Sequence, residues 1–343
     1  MASPPSSSPA LAPAVPSRPA ANPRWQALTP AEWGLLAYLG YCELLLIALP
    51  LTTGAVDWLL LDGGLVAAIV ALHVWVARLR PGASAFAADV FRHAFALFFV
   101  LPFAYQQAGS FGTRFVPLLE NRLLAWDRVL FGINWLSRRP HAAGGWGLVF
   151  ETAYLSNYVF MLLTLVLGAA LPFLRRPAAA TPAAGRDWSA AADEVRALVG
   201  AMVVALLLCY AVFPFFPAVT PRLYFPALRH VGANPLQALN WALLGRFSIP
   251  YGIFPSGHVA GPAAVGAMLA ARRWRGWAVL YLIAAALIAV ATVYGNYHFA
   301  SDAAAGFAVG LLGCGLVRAL AGKAPSPAAR PARALAAAGD DGD

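Results

Sequence analysis

Eight long apolar runs constrain this chain more than any other feature of it. They fall near residues 33–53, 58–77, 89–107, 146–173, 196–217, 256–271, 276–294 and 299–320. A helix needs about 20 predominantly apolar residues to cross the hydrocarbon core of a bilayer. The runs therefore predict an all-α fold: a polytopic membrane helix bundle of about eight transmembrane helices, the sixth short and the fourth long enough to tilt. Composition agrees. With 60% hydrophobic residues against 11% charged, 343 residues carry too little polar surface for a soluble domain. The net charge of +9 does not imply a nucleic-acid partner, because the arginines stand at the ends of the apolar runs, where a membrane protein keeps its topology signal. Cys42, Cys209 and Cys314 lie in apolar runs without paired spacing, so neither a disulfide framework nor a metal site is expected from them.

The flanks read differently. Residues 1–28 are rich in Pro, Ala and Ser, and residues 322–343 in Pro and Ala; both are expected to be disordered tails. The first tail lacks the apolar core of a signal peptide. Loops taken alternately give sixteen of the 24 Lys and Arg residues to one side, including the Arg272-Arg273-Trp274-Arg275 turn, and eight to the other. This bias predicts cytoplasmic termini and an extracytoplasmic position for His258 and His298. The expected location is the inner membrane of a bacterium.

Five of those eight cations, Arg114, Arg122, Arg128, Arg138 and Arg139, sit in a loop at about 108–145 that is not a plain linker. Phe115, Leu118, Leu119, Leu123, Leu124, Val129, Leu130 and Phe131 recur there at helical spacing. An amphipathic helix in the membrane interface is expected. It either caps the bundle or forms a lid or ramp for a lipid.

The chemistry-bearing residues occupy two stretches. Pro255-Ser256-Gly257-His258 opens the sixth run, and His298 with Asp302 opens the eighth, 40 residues separating the two histidines. Two crossings use about that length, so both histidines return to one side. Pro and Ser suit a helix start, whose unpaired N–H groups and positive dipole end attract an anion. Gly257 lets an oxyanion approach the backbone, and His258 stands over it with a proton to give. His298 and Asp302 share a helical face at four-residue spacing. A carboxylate on one imidazole nitrogen fixes the tautomer and leaves the other free as nucleophile or base. Each stretch alone has a bland reading, a polar helix cap or a structural pair. Together, at the mouths of membrane helices, they read as one site. No phosphate-loop pattern and no metal-ligand spacing competes, so no cofactor and no metal are expected.

The two stretches resemble the type 2 phosphatidic acid phosphatase superfamily, whose second signature contains Pro-Ser-Gly-His and whose third ends in His-x-x-x-Asp. The third signature normally opens with Ser-Arg, where this chain has Ala291-Thr292; the first normally begins with Lys, and the chain's only lysine is Lys323. Ala291-Thr292-Val293-Tyr294, Asp127-Arg128-Val129-Leu130-Phe131-Gly132 and Phe216-Pro217-Ala218-Val219-Thr220-Pro221-Arg222 look like the inositol phosphorylceramide synthase branch. The resemblance implies a six-helix catalytic core over 86–321 and two extra N-terminal helices over 29–85. It implies that His298 attacks phosphorus, that Asp302 holds His298, and that His258 protonates the departing alkoxide. Ser256 and Gly257 would hold phosphate oxygens. Arg222 first, and Arg128 second, are the candidates to replace the missing cations. The expected activity is a metal-independent lipid phosphotransferase of the inositolphosphotransferase type, with a membrane lipid as substrate and a small alcohol as possible acceptor. With water as acceptor it would be a lipid phosphate or isoprenoid pyrophosphate phosphatase. The remote alternative is a non-catalytic binder or transporter of anionic lipids.

Overall fold

The computed structural model describes residues 27–48, 55–137, 145–174, 187–228 and 234–322, and these are helical with no strand among them. Ten helices are labelled here: α1 Pro30–Ala48, α2 Ala55–Arg78, α3 Ala83–Phe111, α4 Glu120–Phe131, α5 Gly145–Leu174, α6 Trp188–Val212, α7 Pro235–Phe247, α8 Gly257–Ala271, α9 Arg275–Tyr294 and α10 Ala300–Gly322. Seven of them are long and apolar enough to cross a membrane. The shorter apolar helix α8 is the sixth run, so all eight runs became helices. The two expected tails and His141 lie outside the described residues.

Helix α6 is the axis. It is the span most enclosed by protein, with 72% of its apolar window buried, and it packs against α1, α3, α5, α8 and α10. Its start differs from the sequence expectation of residue 196. The Asp187 side chain accepts the N–H groups of Ser189 and Ala190 and so caps the helix a little over two turns earlier. That correction places Asp193, Glu194 and Arg196 inside the helix, where periodicity alone reads a polar boundary. Helix α3 likewise starts before its apolar run, and it passes through a π-helical turn at Ala96–Val100.

The misplaced charges have partners. Arg196 Nε donates to Asp89 Oδ2 at 3.0 Å, and Arg92 pairs with both Asp89 and Glu32 Oε1, the latter at 2.9 Å. His73 Nδ1 lies 3.4 Å from Glu32 Oε1, and His93 Nδ1 lies 2.8 Å from the Asp89 carbonyl. This buried network ties α1, α2, α3 and α6 together at one end of the bundle. Glu194 extends it by pairing with Arg272 at the far end of α8. Buried charges persist only when paired in this way.

The other end carries the site, and close helix contact shapes it. A Cβ on Gly306 would lie 2.3 Å from the Ser256 carbonyl, and one on Gly310 would lie 2.5 Å from the Ala260 carbonyl. Any side chain at those positions would push α10 away from α8. The free cysteines Cys42, Cys209 and Cys314 are buried in the packing.

Helix α4 is amphipathic as expected, but shorter: Phe115, Leu118 and Leu119 precede it. Its inward face is partly polar, with Glu120, Leu123 and Asp127 buried, while Val129, Leu130 and Phe131 are exposed. The acids face inward because backbone N–H groups await them there.

Candidate functional site

Helix α8 starts at Gly257, so His258 projects from its first turn. His298 lies in the tight link between α9 and α10. That link is wound by the Thr292 carbonyl, which accepts the N–H groups of both Tyr297 (2.8 Å) and His298 (3.1 Å). Asn296 takes a left-handed φ of 60° there, a conformation that Asn tolerates better than most residues. Thr292 and Ala291, which stand where the resembled family has Ser-Arg, are both buried in this turn.

The two histidines meet. His298 Nε2 lies 3.3 Å from His258 Nδ1, and His298 Nδ1 lies 2.6 Å from Asp302 Oδ2. Asp302 is fully buried and its Oδ1 has no hydrogen-bond partner among the described residues. Burial pushes the His298 imidazole down to about 3, so it is neutral at pH 7. A neutral imidazole whose Nδ1–H is held by a carboxylate carries its lone pair on Nε2, which here faces His258 Nδ1.

Asp127 sets the height of α10. Its Oδ1 accepts the Ser301 N–H at 2.7 Å, and its Oδ2 accepts Ala300 N–H at 2.8 Å and Trp135 Nε1–H at 2.7 Å. A carboxylate from α4 thus caps the helix on which Asp302 stands. Glu120, two turns back on α4, accepts the Val219 N–H at 2.7 Å. Ala218 donates to the Tyr251 carbonyl at 3.1 Å, and the Arg222 N–H to the Asn296 carbonyl at 3.1 Å. The segment ending in Arg222 is therefore fastened to α4, to the approach to α8 and to the His298 turn.

Arg222 is 7% exposed and its Nε has no hydrogen-bond partner among the described residues. The guanidinium carbon lies 5.4 Å from the Trp241 ring and 6.0 Å from the Tyr297 ring. Burial lowers its pKa from the usual guanidinium value, and Arg222 in turn disfavours a proton on His298. Arginine stays charged in proteins, so this is a buried cation held by aromatic faces.

These groups share one cavity of about 710 Å³, whose walls include Arg222, Gly257, His258 and His298. That volume suits a small-molecule ligand. From the polar end the cavity runs between α3, α5, α6 and α7 past Phe98, Leu101, Met161, Met202 and Leu206. Phe98, Tyr158 and Phe247 stand on its walls and are themselves exposed on the flank of the bundle. A charged group and a hydrocarbon chain attached to it would each find a matching surface.

Of the residues singled out in the sequence, His258, His298, Asp302, Gly257 and Arg222 come together here. Ser256 is adjacent but stands behind the wall, fully buried under α10, its Oγ without a partner among the described residues. Arg128 does not come in. It is exposed on α4 and is not part of the cavity wall, because Asp127 beside it takes the inward position. Arg246 is exposed as well.

Sequence reasoning missed the contribution of α5. Tyr154 stacks on His258 with ring centroids 4.8 Å apart, and on Tyr297 at 4.2 Å. The Tyr297 hydroxyl donates to Glu151 Oε2 at 2.7 Å, and Asn240 of α7 also donates to that oxygen. Burial, then the Glu151 carboxylate, pushes the Tyr297 hydroxyl pKa up, so it stays a donor. The available signal was Glu151 and Asn157 inside an otherwise apolar run, since polar groups at that depth usually have a task. Among the described residues no group of three or more His, Cys, Asp or Glu is arranged to hold a metal ion.

Comparison with known proteins gives the family. The family model described as PAP2 superfamily matches residues 121–316, more than half of the chain. A PA-phosphatase related-family protein of Dictyostelium discoideum is 29% identical over 116 residues, 32% of this chain and 21% of that protein. The chain thus spans about a fifth of that relative's length. No solved structure matches the chain.

Proposed function

Because this chain belongs to the PAP2 superfamily, we propose that it is an integral-membrane enzyme moving a phosphoryl or phospho-headgroup from a lipid phosphoester to an acceptor, through a phosphohistidine on His298. The observation that carries this reading is that His258 and a His298 already held by Asp302 face the same cavity as the buried cation Arg222, close enough to bracket one phosphate once it enters between them. Phosphorus enters at the polar end of the cavity. His298 Nε2 forms a bond to it as the ester P–O bond breaks, and His258, protonated when the anionic phosphate binds beside it, gives that proton to the departing alkoxide. In the second step the acceptor hydroxyl yields its proton to His258, its oxygen bonds to phosphorus, and His298 leaves. An alkoxide is a poor leaving group, and a placed general acid contributes about 10²–10⁴-fold.

Arg222 supplies the positive charge for the nonbridging oxygens. The N–H of Gly257 adds a hydrogen bond from the helix start, which Ser256 supports from behind the wall. No step requires a metal. Asp302 keeps His298 in the reactive tautomer and stabilises it as charge develops.

The acceptor favoured here is an alcohol, of the inositolphosphotransferase kind. Support comes from Arg222, the one Arg or Lys on the cavity wall among the described residues. One guanidinium balances the single negative charge of a phosphodiester better than the double charge of a monoester. Water is the second reading, favoured by the name of the Dictyostelium relative, and it would make the enzyme a phosphatase. We place the site at the extracytoplasmic face, from the distribution of arginines.

The test is product identification by mass after incubating purified protein with lipid phosphates and phospholipids, with and without inositol. Release of free phosphate alone assigns the phosphatase. A new phosphodiester that appears only with inositol assigns the transferase. If no lipid is turned over although anionic lipids bind, the protein is a binder or transporter and the proposal fails.

A further inference from the structure

Helix α5 presents Tyr154, Asn157, Tyr158 and Met161 to the cavity, one face at the spacing of successive turns. Tyr154 fixes the level of the reacting groups, because its ring stacks on His258 at 4.8 Å. Asn157 is three residues further along the helix, about 4.5 Å deeper. Met161 lies beyond it, among apolar neighbours. The face therefore passes from reactive, through amide, to hydrocarbon.

The amide is out of place in such a run. Asn157 is 9% exposed and its side chain makes no hydrogen bond among the described residues. An amide left unpaired in an apolar environment costs free energy. The other carboxamide of the cavity is engaged, the Gln106 amide donating to the Phe247 carbonyl at 2.8 Å, and the Tyr105 hydroxyl accepts the Ile249 N–H at 3.2 Å; Thr220 Oγ1, two residues from Arg222, is a cavity hydroxyl without a partner among the described residues. At its depth Asn157 is the amide that remains for a ligand.

We propose that Asn157 is the residue by which this site recognises the acyl carbonyl of its lipid, selecting acyl-linked lipids over those whose phosphate is attached to bare hydrocarbon. The inference rests on the lipid-phosphoester reading above. In an acyl-linked lipid the carbonyl is a few bonded atoms below phosphorus, so phosphorus at His298 brings the carbonyl toward Asn157. An isoprenoid phosphate places only methylene and methyl groups there and leaves the amide buried and unpaired. A site built to hydrogen-bond a substrate group rejects analogues that lack it.

Equilibrium binding to the detergent-purified full chain tests this, using non-hydrolysable phosphonates. Four probes suffice: a diacylglycerol phosphonate, its dialkyl ether counterpart, an N-acyl sphingoid phosphonate and a polyprenyl phosphonate. The wild type should bind the diacyl probe about tenfold more tightly than the dialkyl probe, the worth of one buried hydrogen bond. The polyprenyl probe should bind like the dialkyl one. Asn157→Leu, which keeps the side-chain shape, should weaken acyl-linked probes and leave the dialkyl probe within about twofold. Asn157→Ala repeats the comparison should the leucine variant fail to fold. Whichever of the diacyl and N-acyl probes binds more tightly tells whether the carbonyl is an ester or an amide. A preference for acyl-linked probes over the dialkyl probe that survives in the variants, or that neither the diacyl nor the N-acyl probe shows with the wild type, overturns the proposal. Turnover of the corresponding phosphoesters, measured in parallel, separates the two claims. Preference without turnover sinks the enzyme reading and keeps Asn157 as the carbonyl reader; turnover without preference does the reverse.

Discussion

Asp127 and Ser301 are joined by a hydrogen bond of 2.7 Å from the Ser301 N–H to Oδ1, across 174 residues of chain. With the second bond from Ala300, one carboxylate holds the first turn of the helix that carries Asp302. Replacing Asp127 with Ala removes the cap. Stability in detergent should fall by about 1–2 kcal/mol, and turnover should fall with it, because His298 and Asp302 lose their common support. Asn at this position offers a single acceptor oxygen and should lie between the two. Unchanged denaturation midpoints and unchanged turnover in Asp127→Ala would deny the cap its positioning role.

Histidine substitutions separate chemistry from binding. His298→Ala should abolish the acid-labile phosphoenzyme with every substrate, detected by labelled phosphate after rapid denaturation at alkaline pH. His258→Ala should slow its formation by about 10²–10⁴-fold for an alkyl ester and much less for an activated aryl ester, which leaves without a proton. Asp302→Asn should bind lipid nearly normally and turn it over slowly, since the tautomer is wrong. Full turnover in His298→Ala would remove the nucleophile from the scheme.

Two arginines give a contrast within one experiment. Arg222→Ala should lose turnover by about 10²-fold or more, and Arg222→Lys should recover only part of it, because an ammonium lacks the planar fork. Arg128→Ala should be close to wild type, since Arg128 is exposed and outside the cavity wall. The reverse ranking would transfer the phosphate contact to α4.

Burial holds His298 near 3 rather than the usual 6.5. Between those values the unfolded chain carries a proton that the folded chain lacks. Its contribution to stability is therefore fully present above 6.5 and lost as pH falls toward about 3. Nitrogen-15 NMR of labelled histidine should show His298 neutral at pH 5 in the free protein. Vanadate or phosphate in the cavity should raise the value, because an anion favours the imidazolium. A free-protein titration near 6.5 would mean that water reaches the imidazole.

Topology has its own check. The Arg272–Arg275 turn should be cytoplasmic. A cysteine placed there, in a background where Cys42, Cys209 and Cys314 are replaced, should resist an impermeant reagent added to intact cells. Labelling from outside would turn the site inward.

The sequence carried the bundle and the reactive pair, because both rest on local signals. Eight runs of membrane length became helices, and Pro255–His258 and His298–Asp302 each mark their own helix start. Ends set by tertiary partners were less legible: α6 begins at Trp188 because Asp187 caps it and Asp89 accepts Arg196 from another helix. Neighbouring residues with opposite fates were harder still. Asp127 turns inward and Arg128 outward, and only the waiting N–H groups of α10 distinguish them. Tyr154 and Asn157 are more than a hundred residues from His258 in sequence, and nothing in a single chain pairs them with it.

The buried charges at the other end of the bundle bear on how the protein is made. Asp89 and Arg92 form an ion pair within one helix, so α3 enters the bilayer with its charges already neutralised in part. Arg196 reaches Asp89 only after 107 further residues have been synthesised. Within α6, Arg196 also lies 3.7 Å from Asp193, one turn away. Asp89 on α3 therefore gains its second cation only when α6 packs beside it, so the cost of burying that carboxylate is fully offset only in the assembled bundle. A chain interrupted between them would leave Asp89 short of its second cation, a buried carboxylate incompletely paired.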